Sequence, residues 1–223
     1  MPLDAVGARR FYDRIGRLQD TQRFYENPAV RRLIELGDFE QALVVFELGC
    51  GTGRLAANLL GSVLPSRARY VAVDVSPVMV RIASQRLSPW IDRAAVKLLE
   101  APALSLPDDD ATFDRFLATY VFDLLSPDQA RALMDHAARL LAPGGLIALV
   151  SLTNGTTTSS RLVCSAWNAI ALRWPSLVGG CRPIELQDLV TGPKWRVRHV
   201  EVLVRLGVPS EVVIAERNGS AAR

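Results

Sequence analysis

The chain has 223 residues, 49% of them hydrophobic, with 26 basic and 23 acidic side chains and a formal charge of +3. That length suits one α/β domain with a full core and is hardly enough for two, and the apolar content excludes a disordered chain. No apolar run approaches the roughly 20 residues of a membrane span, and the charged start (Asp4, Arg9, Arg10, Asp13) lacks the apolar stretch of a signal peptide.

The three cysteines are an odd number without C-x-x-C spacing. This argues against both a disulfide framework and a zinc site, so no metal is expected and a reducing cytoplasm is the expected compartment. Only Lys97 and Lys194 are lysines, and the arginines are scattered. That bias fits a GC-rich bacterial genome and a solvated surface better than a nucleic-acid partner.

Residues 1–43 precede the first strand. They carry an aromatic, Arg-rich segment with Tyr12 and Tyr25, and after Pro28 the residues Val30, Leu33, Ile34 and Leu36 predict a helix closed by Gly37. The segment is too short to fold alone and is expected to form a helical cap on a domain spanning 44–217.

Val44-Val45-Phe46-Glu47-Leu48 predicts a buried strand, Gly49-Cys50-Gly51-Thr52-Gly53 a tight turn, and Leu55, Ala56, Leu59, Leu60 and Val63 one apolar face of a helix. Three glycines let the backbone turn sharply and let a ligand lie close to the main chain. The helix N-terminus turns its unpaired N–H groups toward whatever lies on the loop. Counted from Gly51, the spacing Gly51-x-Gly53-x-x-Ala56 is a tolerable dinucleotide fingerprint. Glu47 weighs against that reading, because a carboxylate ending the strand opposes a pyrophosphate and suits a cation.

Arg69–Asp74 is the second predicted strand, ending in an acid about 20 residues past the last glycine, where such folds hydrogen-bond a ribose. Ser76 and Pro77 open the next helix. Val96–Leu99 is a short third strand and Phe113–Ala118 the fourth. Ser126 and Gln129 make a capping box for a helix whose apolar face is Ala130, Leu133, Met134, Ala137 and Leu141, stopped at Pro143-Gly144-Gly145. Ile147–Leu152 is the fifth strand. Residues 159–174, with Trp167 and Trp174, predict an apolar helix inserted after it, within an insert near 155–185. Trp195–Arg205 reads as a sheet-edge strand and Glu211–Ala215 as its partner across a Gly-Val-Pro turn.

E-x-G-x-G-x-G at Glu47–Gly53, Asp74-x-Ser76, Leu106-Pro107, Phe113-Asp114 and Leu140–Gly145 follow in the order of the class I S-adenosylmethionine (SAM) methyltransferases, which the chain resembles over most of residues 40–215. It looks like the small-molecule and lipid branch, similar to the ubiquinone/menaquinone-biosynthesis and phospholipid N-methyltransferases. The resemblance implies an α/β fold with a Rossmann-like, seven-stranded, mostly parallel sheet, a C-terminal antiparallel hairpin, and helices on both faces. It implies SAM as cofactor, with Glu47 near the methionine ammonium, Gly49, Cys50, Gly51 and Gly53 beneath the methionyl and ribose part, Asp74 on the ribose hydroxyls, and Val75 and Ser76 beside the adenine. Where the family usually has Asp-Ala, this chain has Pro102-Ala103. A side-chain acceptor is lost, leaving the Ala103 backbone, with Glu100 the acid that could substitute.

Thr119-Tyr120-Val121-Phe122-Asp123 follows the fourth strand, at the carboxyl end where ligands bind in open α/β sheets. Thr119 is expected beside the cofactor, and Tyr120 and Asp123 beside the reacting groups. The Asn/Asp-Pro-Pro-aromatic motif of nucleic-acid amino-methyltransferases is absent here, so DNA and RNA are poor acceptor candidates. His136 reads as a solvated helix residue and His199 as a structural strand residue. Tyr12, Tyr25 and Trp167 are candidate substrate contacts, through ring faces and an apolar cover that could also rest on a membrane surface. The expected activity is in-line displacement of a methyl group to a small, hydrophobic acceptor: a natural product, quinone or lipid. Two alternatives stay open, a non-catalytic SAM-binding protein of the same fold and an NAD-dependent enzyme.

Overall fold

The computed structural model describes residues 23–99, 112–155 and 181–219. Helix α1 (Arg23–Leu36) precedes strand β1 (Val44–Leu48). Helix α2 (Arg54–Ser62), strand β2 (Arg69–Asp74), helix α3 (Pro77–Arg86) and strand β3 (Ala94–Leu98) follow. Strand β4 (Phe113–Thr119), helix α4 (Pro127–Leu140), strand β5 (Leu141–Leu152) and the hairpin β6 (Trp195–Arg205) and β7 (Val208–Arg217) complete the order.

The sheet runs β3-β2-β1-β4-β5-β7-β6. The first five strands are parallel, and β7 pairs antiparallel with both β5 and β6. This is the expected seven-stranded arrangement, with β6 at the edge. The order reverses at β1, where neighbouring connections leave in opposite directions and open a crevice beyond the strand ends.

Alternation along the strands divides the core in two. Phe46, Leu48, Phe116, Ile147 and Val213 pack with Leu133, Met134 and Ala137 of α4. Val45, Tyr70, Ala72, Leu117, Ala148 and Val212 pack with Leu33 of α1, Leu59 of α2 and Ala83 of α3. At a typical 1.5–3 kcal/mol per buried large apolar side chain, these layers supply the main driving force for folding. Arg115, 8% exposed, ties α1 to β4 by donating to the carbonyls of Gly37 at 2.7 Å and Asp38 at 2.7 Å.

Several boundaries differ from the sequence reading. Helix α1 is already in place at Arg23 and includes Pro28, rather than starting after it. Helix α4 ends at Leu140, so Leu141 is buried as the first residue of β5 and not on the helix face. Leu141 pairs with Phe113 across a register shift, which carries the strand through Pro143-Gly144-Gly145. The hairpin turns at Leu206-Gly207, with φ of 49° and 81°, and not at Gly-Val-Pro. Two consecutive positive φ values are the primed geometry whose twist matches the flanking strands.

Candidate functional site

The loop after β1 is built from backbone strain that glycine relieves. Gly49, Gly51 and Gly53 have φ of 71°, 52° and 72°, all in the left-handed region. A Cβ on Gly49 would lie 2.4 Å from Val121 Cγ2, and one on Gly53 would lie 2.9 Å from Ala83 Cβ. At these two positions the space that the missing Cβ leaves is filled by the protein, not held open for a ligand. The loop is fastened to β2 as well: the N–H groups of Gly49 and Cys50 both donate to Val73 O, at 2.8 and 3.0 Å. Cys50 is buried with the core beneath the loop, and burial pushes its thiol well above the usual range.

Asp74 locks the loop from below. Its Oδ2 accepts from Gly51 N at 2.8 Å and its Oδ1 from Ser76 N at 2.9 Å, in a side chain 7% exposed. Each carboxylate oxygen has two lone pairs, so this grip still suits a carboxylate that meets ligand hydroxyls. Ser76 is fully buried, and its Oγ caps α3 by accepting from Met79 N at 3.2 Å. Val75 is half-buried against the core on the α4 side of the sheet.

Glu47 is 1% exposed and accepts a hydrogen bond from the Tyr70 hydroxyl at 2.9 Å. Burial pushes its carboxyl up to about 7; the Tyr70 bond opposes that rise and the nearby Asp74 adds to it. Val45, Glu47, Tyr70, Ala72 and Asp74 follow the two-residue alternation of paired strands, so both acids stand on one face of the sheet.

At the end of β4, Thr119 pairs with Val150 and is half-buried. Tyr120 has φ of 54°, a strained value for a side chain of its size, and its hydroxyl lies 2.9 Å from Ser210 Oγ. It packs on the face shared with Glu47. Asp123 is fully buried beside Ser151, next to Phe122 on the α4 side. Tyr120 and Asp123, predicted together, therefore turn to opposite faces of the sheet. Neither Asp123 oxygen has a hydrogen bond of normal geometry, although Ser151 and Cys181 approach it, and burial pushes its carboxyl up to about 7.

Ala103, Tyr12 and Trp167, with Pro102 and Glu100, lie outside the described residues, and Tyr25 is described only by its place in the backbone of α1. His136 is exposed, 3.3 Å from Arg139, and His199 is held 2.7 Å from Glu201 on the sheet edge. Both agree with the sequence reading. That reading missed Tyr70 and Arg86, which support the site from beneath. Arg86 donates to Thr52 Oγ1 at 2.6 Å and to Thr52 O at 2.9 Å. The signal for Tyr70 was the strand register, which places it two residues short of Glu47 on the same face.

Two buried acids thus present acceptors at one end of the sheet. Such a set suits a ligand rich in donors, an ammonium group and a ribose diol, and opposes a pyrophosphate. Residues 45–145 match the family model described as a methyltransferase domain. The chain is similar to the class I SAM-dependent methyltransferases. The malonyl-[acyl-carrier protein] O-methyltransferase of a Marinomonas species is 29% identical over 161 residues, covering 72% of this chain and 55% of that protein. The tRNA(Thr) (cytosine(32)-N(3))-methyltransferase of Saccharomyces cerevisiae is 31% identical over 111 residues, covering 48% of this chain and 18% of that protein. The chain thus spans less than two thirds of the length of either relative.

In fold, the chain resembles the N-methyltransferase NodS of Bradyrhizobium japonicum WM9 in complex with S-adenosylhomocysteine, with a TM-score of 0.66, 17% identity, and coverage of 87% of this chain and 88% of that one. SAM is the cofactor that these similarities support, and the donor-seeking set at Glu47 and Asp74 fits it. The two relatives are named for acceptors as different as tRNA and malonyl-[acyl-carrier protein], so the likeness does not bear out the expected exclusion of nucleic acid. Among the described residues, no helix is long and apolar enough to cross a membrane, and no cluster of three or more histidine, cysteine or acidic residues could hold a metal ion.

Proposed function

We propose that the protein is an enzyme that moves a methyl group from SAM to a small, hydrophobic acceptor. The observation that carries the cofactor half is the grip of Asp74 on Gly51 and Ser76 beside a buried Glu47. In this reading Glu47 takes the methionyl ammonium, Asp74 the ribose hydroxyls, and the Gly49–Gly53 turn carries the nucleoside between them. SAM supplies a methyl group on a sulfonium that needs little further activation. The chain's own work is to align the acceptor and to exclude water.

The acceptor half rests on Tyr120, at the open end of β4 on the face shared with Glu47, and on the apolar composition of residues 159–174. Residues 1–43 are proposed as the cap on this side, since α1 packs Ala29 and Leu33 into that face. A hydrophobic acceptor also allows peripheral membrane contact in a cytoplasmic protein. Asp123, fully buried beside Ser151, is proposed as the titratable group of the acceptor side.

Calorimetry with SAM and S-adenosylhomocysteine tests the cofactor half. Binding at micromolar concentration, weakened but still measurable in Glu47→Gln, is the expected result; no binding in the unmodified protein would sink the proposal. Methyl transfer from labelled SAM into a lipid and quinone extract, run beside a bulk tRNA preparation, tests the acceptor class. Label entering only the tRNA overturns the small-molecule reading.

A further inference from the structure

We propose that Tyr70 is a positioning residue for the cofactor: its hydroxyl fixes one oxygen of Glu47 so that the other meets the cofactor's ammonium. The inference rests on the proposed role of Glu47 and adds a residue to which neither the sequence motifs nor the family likeness gives a part.

The geometry is set by the register of two parallel strands. Val45 pairs with Tyr70, and Glu47 with Ala72. Tyr70 and Glu47 therefore share a face, two residues apart along the strands, a separation of about 6.6 Å. A tyrosine ring lying along the strand spans about that distance, and Ala72, small and buried beside Glu47, leaves the path clear. The hydroxyl arrives 2.9 Å from Glu47 Oε2. Both side chains are 1% exposed, so neither is held by solvent. Oε1 takes no hydrogen bond from the described residues, which leaves it for a donor on the ligand.

Charge sharpens the role. Burial holds the Tyr70 hydroxyl well above its usual range, so it remains a donor throughout the neutral region. Glu47, pushed up to about 7, is near half ionised at neutral pH before any ligand binds. The titratable groups facing it are Tyr70 and Asp74 from β2 and Cys50 from the loop, while β4 presents Leu117 at the paired position. Of these, only Tyr70 favours the charged form. Removing its hydroxyl keeps Glu47 protonated to higher pH, and a neutral carboxyl gives up the ionic part of its attraction for an ammonium.

The test is S-adenosylhomocysteine affinity by calorimetry from pH 6 to pH 9 in the unmodified protein, Tyr70→Phe, Glu47→Gln and the double variant. Comparing proteins at each pH cancels the titration of the ligand's own amine. Tyr70→Phe is expected to bind about tenfold more weakly at pH 6, with the loss shrinking to under about twofold at pH 9. In the Glu47→Gln background it should have no further effect. A loss equal at every pH, or one that persists without Glu47, marks a general packing defect and overturns the proposal. Glu47→Gln binding as tightly as the unmodified protein instead overturns the role of Glu47 itself. A ligand-independent check is the carbon-13 titration of the Glu47 carboxyl: its midpoint moves up in Tyr70→Phe, and an unmoved midpoint overturns the inference.

Discussion

One nitrogen of Arg86, Nη1, donates to both oxygens of Thr52, the hydroxyl at 2.6 Å and the backbone carbonyl at 2.9 Å. Arg86 ends α3, and Thr52 is the buried centre of the glycine turn, so a helix that contributes nothing to the loop in sequence clamps it in space. Arg86→Ala should therefore loosen the turn without touching the ligand. Cofactor affinity is expected to fall about tenfold, roughly the worth of one charge-assisted hydrogen bond, with a smaller drop in unfolding temperature. Arg86→Lys should recover only part, because a lysine lacks the guanidinium's fixed donor geometry. Calorimetry of S-adenosylhomocysteine on the three proteins decides it, and unchanged affinity in Arg86→Ala would remove the clamp from the account.

Gly49 combines a left-handed φ of 71° with a missing Cβ that would stand 2.4 Å from Val121 Cγ2. Gly49→Ala should destabilise the fold by about 2–4 kcal/mol, from strained backbone and overpacking together. Val121→Ala in the same chain relieves the contact but not the dihedral, so the pair should couple and leave about 1–2 kcal/mol of loss. Urea unfolding of the two single variants and the double measures both parts. Strict additivity would show that the clash with Val121 is not what requires glycine here.

The sheet and the glycine turn between its two buried acids were legible because each rests on local chemistry. β-branched runs ended in acids or glycines, and Ser126 with Gln129 marked a helix start that the structure reproduces as a full capping box. What the sequence hid are relations across the fold. Tyr70 reads as an ordinary strand residue until the register puts it beneath Glu47, and Arg86 reads as a solvated arginine until α3 packs against the turn. Tyr120 and Asp123, three residues apart, read as one constellation. The left-handed backbone at Tyr120 and the short helical turn Phe122–Leu124 send them to opposite faces, and such a break in alternation has no signature in composition.

The β6–β7 hairpin contains a local conflict that can be repaired. Leu206 occupies the first position of the turn with φ of 49° and is 71% exposed, so it carries the strain of that conformation without burying its side chain. Asparagine tolerates this region, and Asn-Gly is the favoured pair for the turn. Leu206→Asn should stabilise the protein by about 0.5–1 kcal/mol and raise its unfolding temperature by about 2 °C. Thermal unfolding followed by circular dichroism checks this; a lower unfolding temperature would mean that Leu206 has a contact that its exposure conceals.

Asp123 gives the pH dependence a definite sign. Burial raises its folded-state carboxyl from the usual 3.8 to about 7. Between those values the folded protein holds a proton that the unfolded chain has released, so stability falls as pH rises through that window. Glu47, also raised to about 7, acts in the same direction. Asp123→Asn has no proton to lose, and above pH 7 it should be more stable than the unmodified protein by about 2–4 kcal/mol, with a flatter profile from pH 4 to pH 7. Urea midpoints from pH 4 to pH 8 measure it, and a variant less stable at pH 8 would contradict a carboxylate whose burial outweighs its hydrogen bonds. The same variant separates architecture from chemistry. If Asp123 takes the acceptor's proton, kcat falls about 10²- to 10⁴-fold while cofactor affinity holds. A more stable protein with unchanged kcat would instead assign the carboxyl to the packing beside Ser151 and leave the acceptor to be activated by its own chemistry.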